Sequence, residues 1–342
     1  MQIVKNLKEN TSHKLTGAGA YEWWYFDCID EDNEYSFTAK FITGNPFSVK
    51  YTESVKEHLN FPELKKPGMA DFCALSFSLY FKNRIVYNIN HDYARNDFRV
   101  ESESGNEKVS LEKNSFNFIK NENKYYLNIN LSTLDLDRKF KAEFVFTVVN
   151  DTSSQETDKD EIPVQDEKHF WLPAASVCQV SGKFKFYVNF KRMKTEFNGF
   201  GYHDHHWGDE ALFVNIDSWY WGRVISENYS FIYFYIQYCD NTKKPFKKLV
   251  IYKNGRVEKE LDEFNVKLNK KFNFSSLSFS KDIVISADGV KLICNNKTNL
   301  EEGHSFTRYL SLFELLLNGK SVLTNNTGIS EYIIPKKFKI DP

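Results

Sequence analysis

Proton-transfer groups and aromatic side chains are concentrated in one stretch of this 342-residue chain, residues 199–223. The stretch reads GFGYHDHHWGDEALFVNIDSWYWGR and places three histidines around one aspartate, with three tryptophans close by. An aspartate between histidines can be held ionised by them or kept protonated in a dry pocket, and either state suits proton transfer. The stretch therefore predicts an acid–base site beside rigid apolar surfaces.

The centre of this stretch, residues 202–208, continues a predicted strand, so its side chains alternate between two faces. Tyr202, Asp204 and His206 share one face, and His203 and His205 share the other. We predict Asp204, His203, His205 and Tyr202 as catalytic residues. A purely structural cluster, with the histidines bonded to backbone and the aspartate capping the turn at Gly208, is the alternative.

A metal site is a further alternative for the same residues. His203 and His205 form an HxH pair, and imidazole pairs of this kind bind zinc when other ligands join them. No HExxH motif, second HxH pair or neighbouring cysteine accompanies the pair in the sequence. We therefore predict no metal.

Two more groups combine aromatic and charged side chains. Glu22 precedes Trp23 and Trp24 in a strand-like run, and a carboxylate there is costly to bury unless it is paired or takes part in catalysis. Otherwise Glu22 faces solvent and the tryptophans are core. Trp219 and Trp221 share one face of another run, where they either stack on an apolar ligand or fill a barrel core.

The rest of the chain predicts an all-β protein. Aromatic residues make up 16% of it, and short strand-like runs alternate with turns from residue 72 onward, which is typical of a sandwich or barrel built from hairpins. Residues 1–20 are polar and predicted to be loosely held. Residues 45–70 predict a loop with at most one short helix, and the acidic residues 151–168 predict a solvated loop.

Charge and cysteine content narrow the function classes. Lys plus Arg is 45 and Asp plus Glu is 46, which argues against a nucleic-acid partner and a polybasic membrane anchor. No signal peptide or membrane-spanning run is recognisable, and no phosphate-binding or nucleophile motif occurs. We predict a cytoplasmic protein without a stable membrane anchor. Five widely spaced cysteines predict free thiols: Cys28, Cys73, Cys178, Cys239 and Cys294.

Four segments together resemble a known family. In chain order they are EWWYF at 22–26, GYHDHHWG at 201–208, WYWG at 219–222 and GISEY at 328–332. They resemble carotenoid 1,2-hydratase (hydroxyneurosporene synthase) and AttH-like proteins, a fold family that also includes lipocalin-like Diels–Alderases. The pair formed by EWWYF and DHxWG at this spacing is specific for the fold. It is less specific for the reaction, because the family hosts hydration, cyclisation and pericyclic chemistry.

The resemblance implies two consecutive lipocalin-like antiparallel β-barrel or sandwich domains, 1–208 and 209–342, with the ligand pocket in or between them. It also implies that Asp204 is the acid that protonates an alkene. Family members often carry asparagine at the position of His206, so this histidine adds a titratable group. We predict as substrate-binding residues Glu22, Trp23, Trp24, His206, Trp207, Trp219, Trp221, Arg223 and Glu331.

These expectations combine into one predicted function. The protein would be a cofactor-independent enzyme of natural-product or isoprenoid metabolism, a lyase or isomerase that hydrates or cyclises an unsaturated hydrophobic polyene. Asp204 would donate the proton, His203 and His205 would tune it, and the tryptophans would stabilise cationic charge. A Diels–Alderase that preorganises a polyene and a non-catalytic lipid or pigment carrier are the alternatives.

Overall fold

The computed structural model describes residues 1–132, 139–149, 167–188, 191–274, 277–302 and 305–335. Within these residues the chain forms two curled antiparallel sheets with little helix, which confirms the predicted all-β, lipocalin-like class. The predicted acidic loop at 151–168 lies outside the described residues except for 167 and 168. Among the described helices, none is long and apolar enough to span a membrane.

The strands follow one another along the chain with short connections. They are β1 (Gln2–Ile3), β2 (Tyr21–Asp30), β3 (Tyr35–Thr43), β4 (Cys73–Phe81), β5 (Arg84–Tyr93), β6 (Phe98–Glu103), β7 (Asn106–Leu111), β8 (Asn114–Ile119), β9 (Lys124–Ser132), β10 (Lys139–Val148), β11 (His169–Val188), β12 (Lys191–Gly208), β13 (Ile216–Val224), β14 (Tyr229–Tyr238), β15 (Phe246–Lys253), β16 (Arg256–Leu261), β17 (Asn265–Phe274), β18 (Leu277–Ala287), β19 (Val290–Glu302), β20 (Phe306–Leu317) and β21 (Lys320–Ile333). Helices α1 (Val49–Asn60) and α2 (Leu212–Asn215) and single 3-10 turns at Leu7–Glu9, Met69–Asp71, Arg95–Asp97 and Lys120–Glu122 complete the described elements.

The first sheet has 12 strands in the order β5-β4-β3-β2-β12-β11-β10-β9-β8-β7-β6, and β1 pairs in parallel with β11. One of its faces carries a single apolar cluster to which strands from both ends of the sheet contribute. Leu75 of β4 and Val109 of β7 belong to it together with Phe26 of the central β2. The sheet must therefore curl around this core.

The second sheet has nine strands in the order β16-β15-β14-β13-β21-β20-β19-β18-β17. Its own apolar cluster includes Tyr233, Leu292 and Phe313. Tyr220 and Val224 of β13 point into this cluster, so Trp221 and Arg223, which alternate with them along the strand, point to the other face.

The chain divides into two compact units. The first contains Met1–Pro46, Glu53–Leu79 and the described residues of Val86–Glu210, and the second contains Phe47–Thr52, Tyr80–Ile85 and the described residues from Ala211 onward. Two short segments of the N-terminal half thus belong to the second unit. The assignment of separate lipocalin-like domains at 1–208 and 209–342 stays a prediction.

The N-terminal segment is not loosely held, so that prediction was wrong. Strand β1 pairs with β11, Asn10 is buried and donates to the hydroxyl of Tyr125, and Ser12 and the backbone of His13 donate to Glu22. Polar residues usually favour solvent, but here they satisfy polar groups that the first unit buries. The composition of the segment alone does not reveal those partners.

Strand β12 approaches its neighbours closely at Gly201. A Cβ atom there would lie 2.6 Å from Val180 Cγ2 and 2.8 Å from the carbonyl oxygen of Asp27 on β2. The carbonyl belongs to the backbone and cannot move aside as a flexible side chain can. Gly201 therefore permits the close packing of the strand that carries the His-rich stretch.

Replacing Gly201 by alanine is expected to destabilise the protein by about 1–3 kcal/mol, because overpacking forces strands apart. The free energy of unfolding in urea measures the effect. Gly319→Asn is the control, because nothing lies within 4 Å of its added Cβ, so this variant reports the cost of a side chain at its φ of +78° without overpacking. An equal loss in both variants would contradict the close approach.

Candidate functional site

The pairing of β12 with β2 brings the GYHDHHWG motif at 201–208 next to the EWWYF motif at 22–26. Asp204 lies opposite Tyr25, His205 opposite Trp24, and His206 opposite Trp23. The His-rich stretch is thus part of a strand in the middle of the first sheet. Alternation along that strand sorts its polar side chains onto two faces, as the sequence predicted.

Asp204 occupies the face that points away from the apolar cluster of the first unit. Its Oδ2 accepts three hydrogen bonds, from the hydroxyl of Tyr202 at 2.8 Å, from Trp171 Nε1 at 3.1 Å and from His206 Nε2 at 3.2 Å. Among the described residues, no donor reaches Oδ1, although this atom is buried. Oδ1 is therefore a buried carboxylate oxygen that accepts no hydrogen bond from the described residues.

The surroundings of Asp204 stabilise its charged form. Burial by itself raises the pKa of the carboxyl. His206 lowers this pKa through its charge and its hydrogen bond, Tyr202 lowers it through its hydrogen bond, and the lowering effects prevail. The pKa of Asp204 therefore lies below its ordinary value. A carboxyl held in this way is a strong acid whenever it carries a proton.

Aromatic rings surround this carboxyl. The ring of His206 stacks on Trp23 with centroids 4.6 Å apart and on Trp171 at 6.1 Å. Nearby, the hydroxyl of Tyr21 and Nδ1 of His169 are hydrogen-bonded at 3.0 Å. The Asp204 carboxyl is thus packed among several aromatic rings.

A second carboxylate, Glu22, lies on the opposite face and is fully buried. Its Oε1 accepts from the backbone nitrogen of His13 at 2.9 Å, from His13 Nδ1 at 2.9 Å and from His205 Nε2 at 3.0 Å. Ser12 Oγ donates to Oε2 at 2.9 Å. Glu22 is therefore a buried and paired carboxylate, and the solvent-facing alternative was wrong.

Burial and pairing act against each other at this second carboxylate as well. Burial raises the pKa of Glu22, but the hydrogen bonds from His13 and His205 lower it and prevail, so its pKa lies below the ordinary value. Burial is also the main reason that the pKa of His205 is lowered. Tryptophan rings fix both imidazoles: His205 stacks on Trp24 at 4.6 Å and His13 on Trp207 at 4.0 Å.

His203 is a core residue on this same face. Its Nδ1 donates to the backbone oxygen of Tyr25 at 2.9 Å, and its ring stacks on Phe26 at 4.1 Å. Burial lowers the pKa of His203 to about 3, so the ring is neutral. The hydrogen-bonding role at Asp204 that the sequence suggested for His203 and His205 is carried by His206, because neighbouring residues of a strand point to opposite faces.

The remaining predicted residues belong to the second unit. Trp219, Trp221 and Arg223 share the face of β13 that points away from the apolar cluster of that unit, and all three are buried. Glu331 lies beside Trp221 on β21 and forms an ion pair with Arg308 at 2.6 Å. Their roles in substrate binding stay predictions.

Among the described residues, one group of side chains could jointly hold a metal ion, and it consists of His13, Glu22 and His205. Their ligand atoms all lie within 4.8 Å of one another. The HxH pair considered from the sequence is not assembled in this group, because Nδ1 of His203 is bonded to backbone instead. His205 takes its partner from a segment that precedes Glu22.

Sequence analysis missed four contributors to the two faces: His13, Tyr21, His169 and Trp171. His169 and Trp171 are two residues apart on one strand and therefore share a face. This was a usable signal for a polar contact there, because the N–H of a buried indole usually donates to an acceptor. His13 gave no comparable signal. It lies nine residues before Glu22 in a polar segment, and only the folded chain brings the two together.

Comparisons with known proteins agree with the resemblance found in the motifs. The chain is 28% identical over 347 residues, covering 99% of this chain and 89% of the relative, to a protein of Chlorobaculum tepidum named hydroxyneurosporene dehydrogenase. The structure is similar to that of CghA solved with Sch210972, with a TM-score of 0.63, 9% identity and coverage of 95% of this chain and 94% of CghA.

It is equally similar to an AttH-like protein of Nitrosomonas europaea, with a TM-score of 0.62, 11% identity and coverage of 97% and 96% of the two chains. At such low identity these two structures establish the fold. The family model described as carotenoid hydratase CrtC matches residues 121–322. Because this match covers more than half of the sequence, the chain belongs to the carotenoid hydratase CrtC family.

Proposed function

We propose that this protein is a hydratase that adds water across a carbon–carbon double bond of a hydrophobic polyene, with Asp204 as the proton donor. The arrangement of Asp204 carries the proposal: Oδ2 accepts three hydrogen bonds, and the buried Oδ1 accepts none from the described residues, which leaves it as the oxygen that can carry and transfer a proton. Membership of the carotenoid hydratase family supports the reaction class. The reaction consumes only water and requires no redox cofactor.

The first step starts from the protonated form of Asp204, which is the minor form because the site stabilises the carboxylate, and transfers the proton from Oδ1 to one alkene carbon. A carbon–hydrogen bond forms from the π electrons, the adjacent carbon becomes a cation and Asp204 becomes a carboxylate. An alkene is a very weak base, so the transfer needs an acid whose conjugate base is strongly stabilised. The hydrogen bonds from Tyr202 and His206, which lower the pKa of Asp204, and the hydrogen bond from Trp171 provide that stabilisation as the charge develops.

The second step is the capture of the cation by water. We expect the aromatic side chains beside Asp204 to stabilise the cation until water attacks it, since Trp23 and Trp171 both stack on His206 next to the carboxyl. A carbon–oxygen bond then forms, and the excess proton of the added water returns to the Asp204–His206 pair. The net reaction converts alkene and water into an alcohol, and the enzyme regains its starting protonation state.

Asp204→Asn tests the acid directly. The amide keeps the size of the side chain but supplies no acidic proton, so turnover of an acyclic carotenoid polyene is expected to fall by about 10²–10⁴-fold. Binding, measured by the absorption shift of the polyene, is expected to change little. Asp27→Asn is the matched control, because Asp27 is a buried carboxylate that accepts from Tyr25.

The same experiment distinguishes the alternatives when the wild-type reaction is run in deuterated water. Hydration places one solvent deuterium on carbon and adds the mass of water. A product that lacks both would contradict the acid role and support pericyclic cyclisation. A ligand recovered unchanged from the wild-type protein would instead support a carrier.

The hydroxyl that donates to Asp204 provides a second test. Tyr202→Phe removes one hydrogen bond to a charged acceptor, worth about 1.5–3 kcal/mol, so turnover is expected to fall by about 10–100-fold with binding retained. Tyr25→Phe is the control, because the hydroxyl of Tyr25 donates to Asp27. Equal losses of turnover in the two variants would mean that the hydroxyls act only through packing.

A further inference from the structure

The second buried carboxylate, Glu22, forms a compact group with two imidazoles on the face opposite Asp204. His13 Nδ1 and His205 Nε2 lie 2.9 Å and 3.0 Å from the same oxygen, Oε1. Glu22 and His205 are fully buried, and the side chain of His13 is 16% exposed. One nitrogen atom of each ring and one carboxylate oxygen thus converge at a site that is largely shielded from solvent.

We propose that His13, Glu22 and His205 bind one first-row divalent metal ion and that Zn²⁺ suits the group best. Two imidazole nitrogens and one carboxylate oxygen are a ligand set that Zn²⁺ takes at bond lengths of about 2.0–2.2 Å. All three ligand atoms lie within 4.8 Å of one another, so small shifts place an ion between them. Three protein ligands leave one position for water.

Binding replaces two hydrogen bonds by coordination. Each ring then carries its remaining proton on the nitrogen that faces away from the ion, Nε2 in His13 and Nδ1 in His205, so that His13 Nδ1 and His205 Nε2 present lone pairs to the ion. A ring that was doubly protonated before binding releases one proton to solvent. The charge of the ion is offset in part by the Glu22 carboxylate. Metal uptake by histidine ligands is accompanied by proton release of this kind.

The surroundings of the group match those of metal ligands. Glu9 Oε2 lies 3.3 Å from His13 Nε2, the ring nitrogen that does not face Glu22. Ser12 Oγ donates to the other carboxylate oxygen, Oε2. Ligating histidines commonly donate their second N–H to a carboxylate, and ligating carboxylates are themselves hydrogen-bonded. Trp24 and Trp207 hold the two imidazole rings in place by stacking.

The site is separate from the proposed chemistry at Asp204 and goes beyond it. It would join the N-terminal segment around His13 to β2 and β12. In sequence, His13 lies 9 positions and His205 lies 183 positions from Glu22. An ion there would raise the stability of the folded state, because it binds the folded chain and not the unfolded one.

Metal content is the direct test. The protein is stripped of metal with a chelator, dialysed against Zn²⁺ alone and analysed by mass spectrometry. The wild type is expected to retain one equivalent of Zn²⁺ and to melt at a higher temperature than the stripped protein. His13→Gln is expected to lose at least 100-fold in affinity. Glu9→Gln is expected to lose about 10–100-fold, as outer-shell changes do. His91→Gln, at an exposed histidine of the same unit, is the matched control.

Co²⁺ gives a second readout that does not depend on activity. Replacement of Zn²⁺ by Co²⁺ is expected to produce the intense visible absorption of a four-coordinate site in the wild type and in Asp204→Asn, but not in His13→Gln. Wild-type protein that binds no more Zn²⁺ than His13→Gln would overturn the proposal and leave a hydrogen-bonded cluster. That outcome would leave the hydratase proposal intact, because the latter is tested on Asp204.

Discussion

The antiparallel pairing of β2 with β12 is the constraint on which both candidate sites depend. Its register sets Trp23 against His206 and Trp24 against His205, so two motifs far apart in the chain become neighbours. A shift of one residue would exchange the two faces of β12 and bring Asp204 into the apolar cluster. Close packing at Gly201 keeps the strands in this arrangement.

Asp204 of β12 and Glu22 of β2 lie on opposite faces of the paired strands, and each carboxylate is stabilised differently. Asp204 receives its three hydrogen bonds on a single oxygen, from a phenol, an indole and an imidazole. Glu22 receives donors on both oxygens, mainly from two histidines and the backbone. A carboxylate with one oxygen that accepts no hydrogen bond suits proton donation, whereas a carboxylate surrounded by imidazole nitrogens suits a metal ion.

Buried polar groups also explain why the N-terminal segment is ordered. Leaving the charge of Glu22 without donors in the interior would cost several kcal/mol, and Ser12 and His13 supply donors that the strands do not. The second unit handles its charges in the same way, since Arg308 lies between Glu301 and Glu331. Glu331, which the motifs suggested as a ligand contact, is thus also one half of a buried ion pair.

The sequence by itself determined the all-β class, the family and the sorting of β12 side chains onto two faces, because strand alternation and the motifs are local properties. Only the tertiary structure decided which group meets which carboxylate. Trp171 reaches Asp204 and His13 reaches Glu22 across strands or segments whose register is not written in local spacing. Pairing partners depend on how distant strands align, and that alignment follows from packing of the whole sheet.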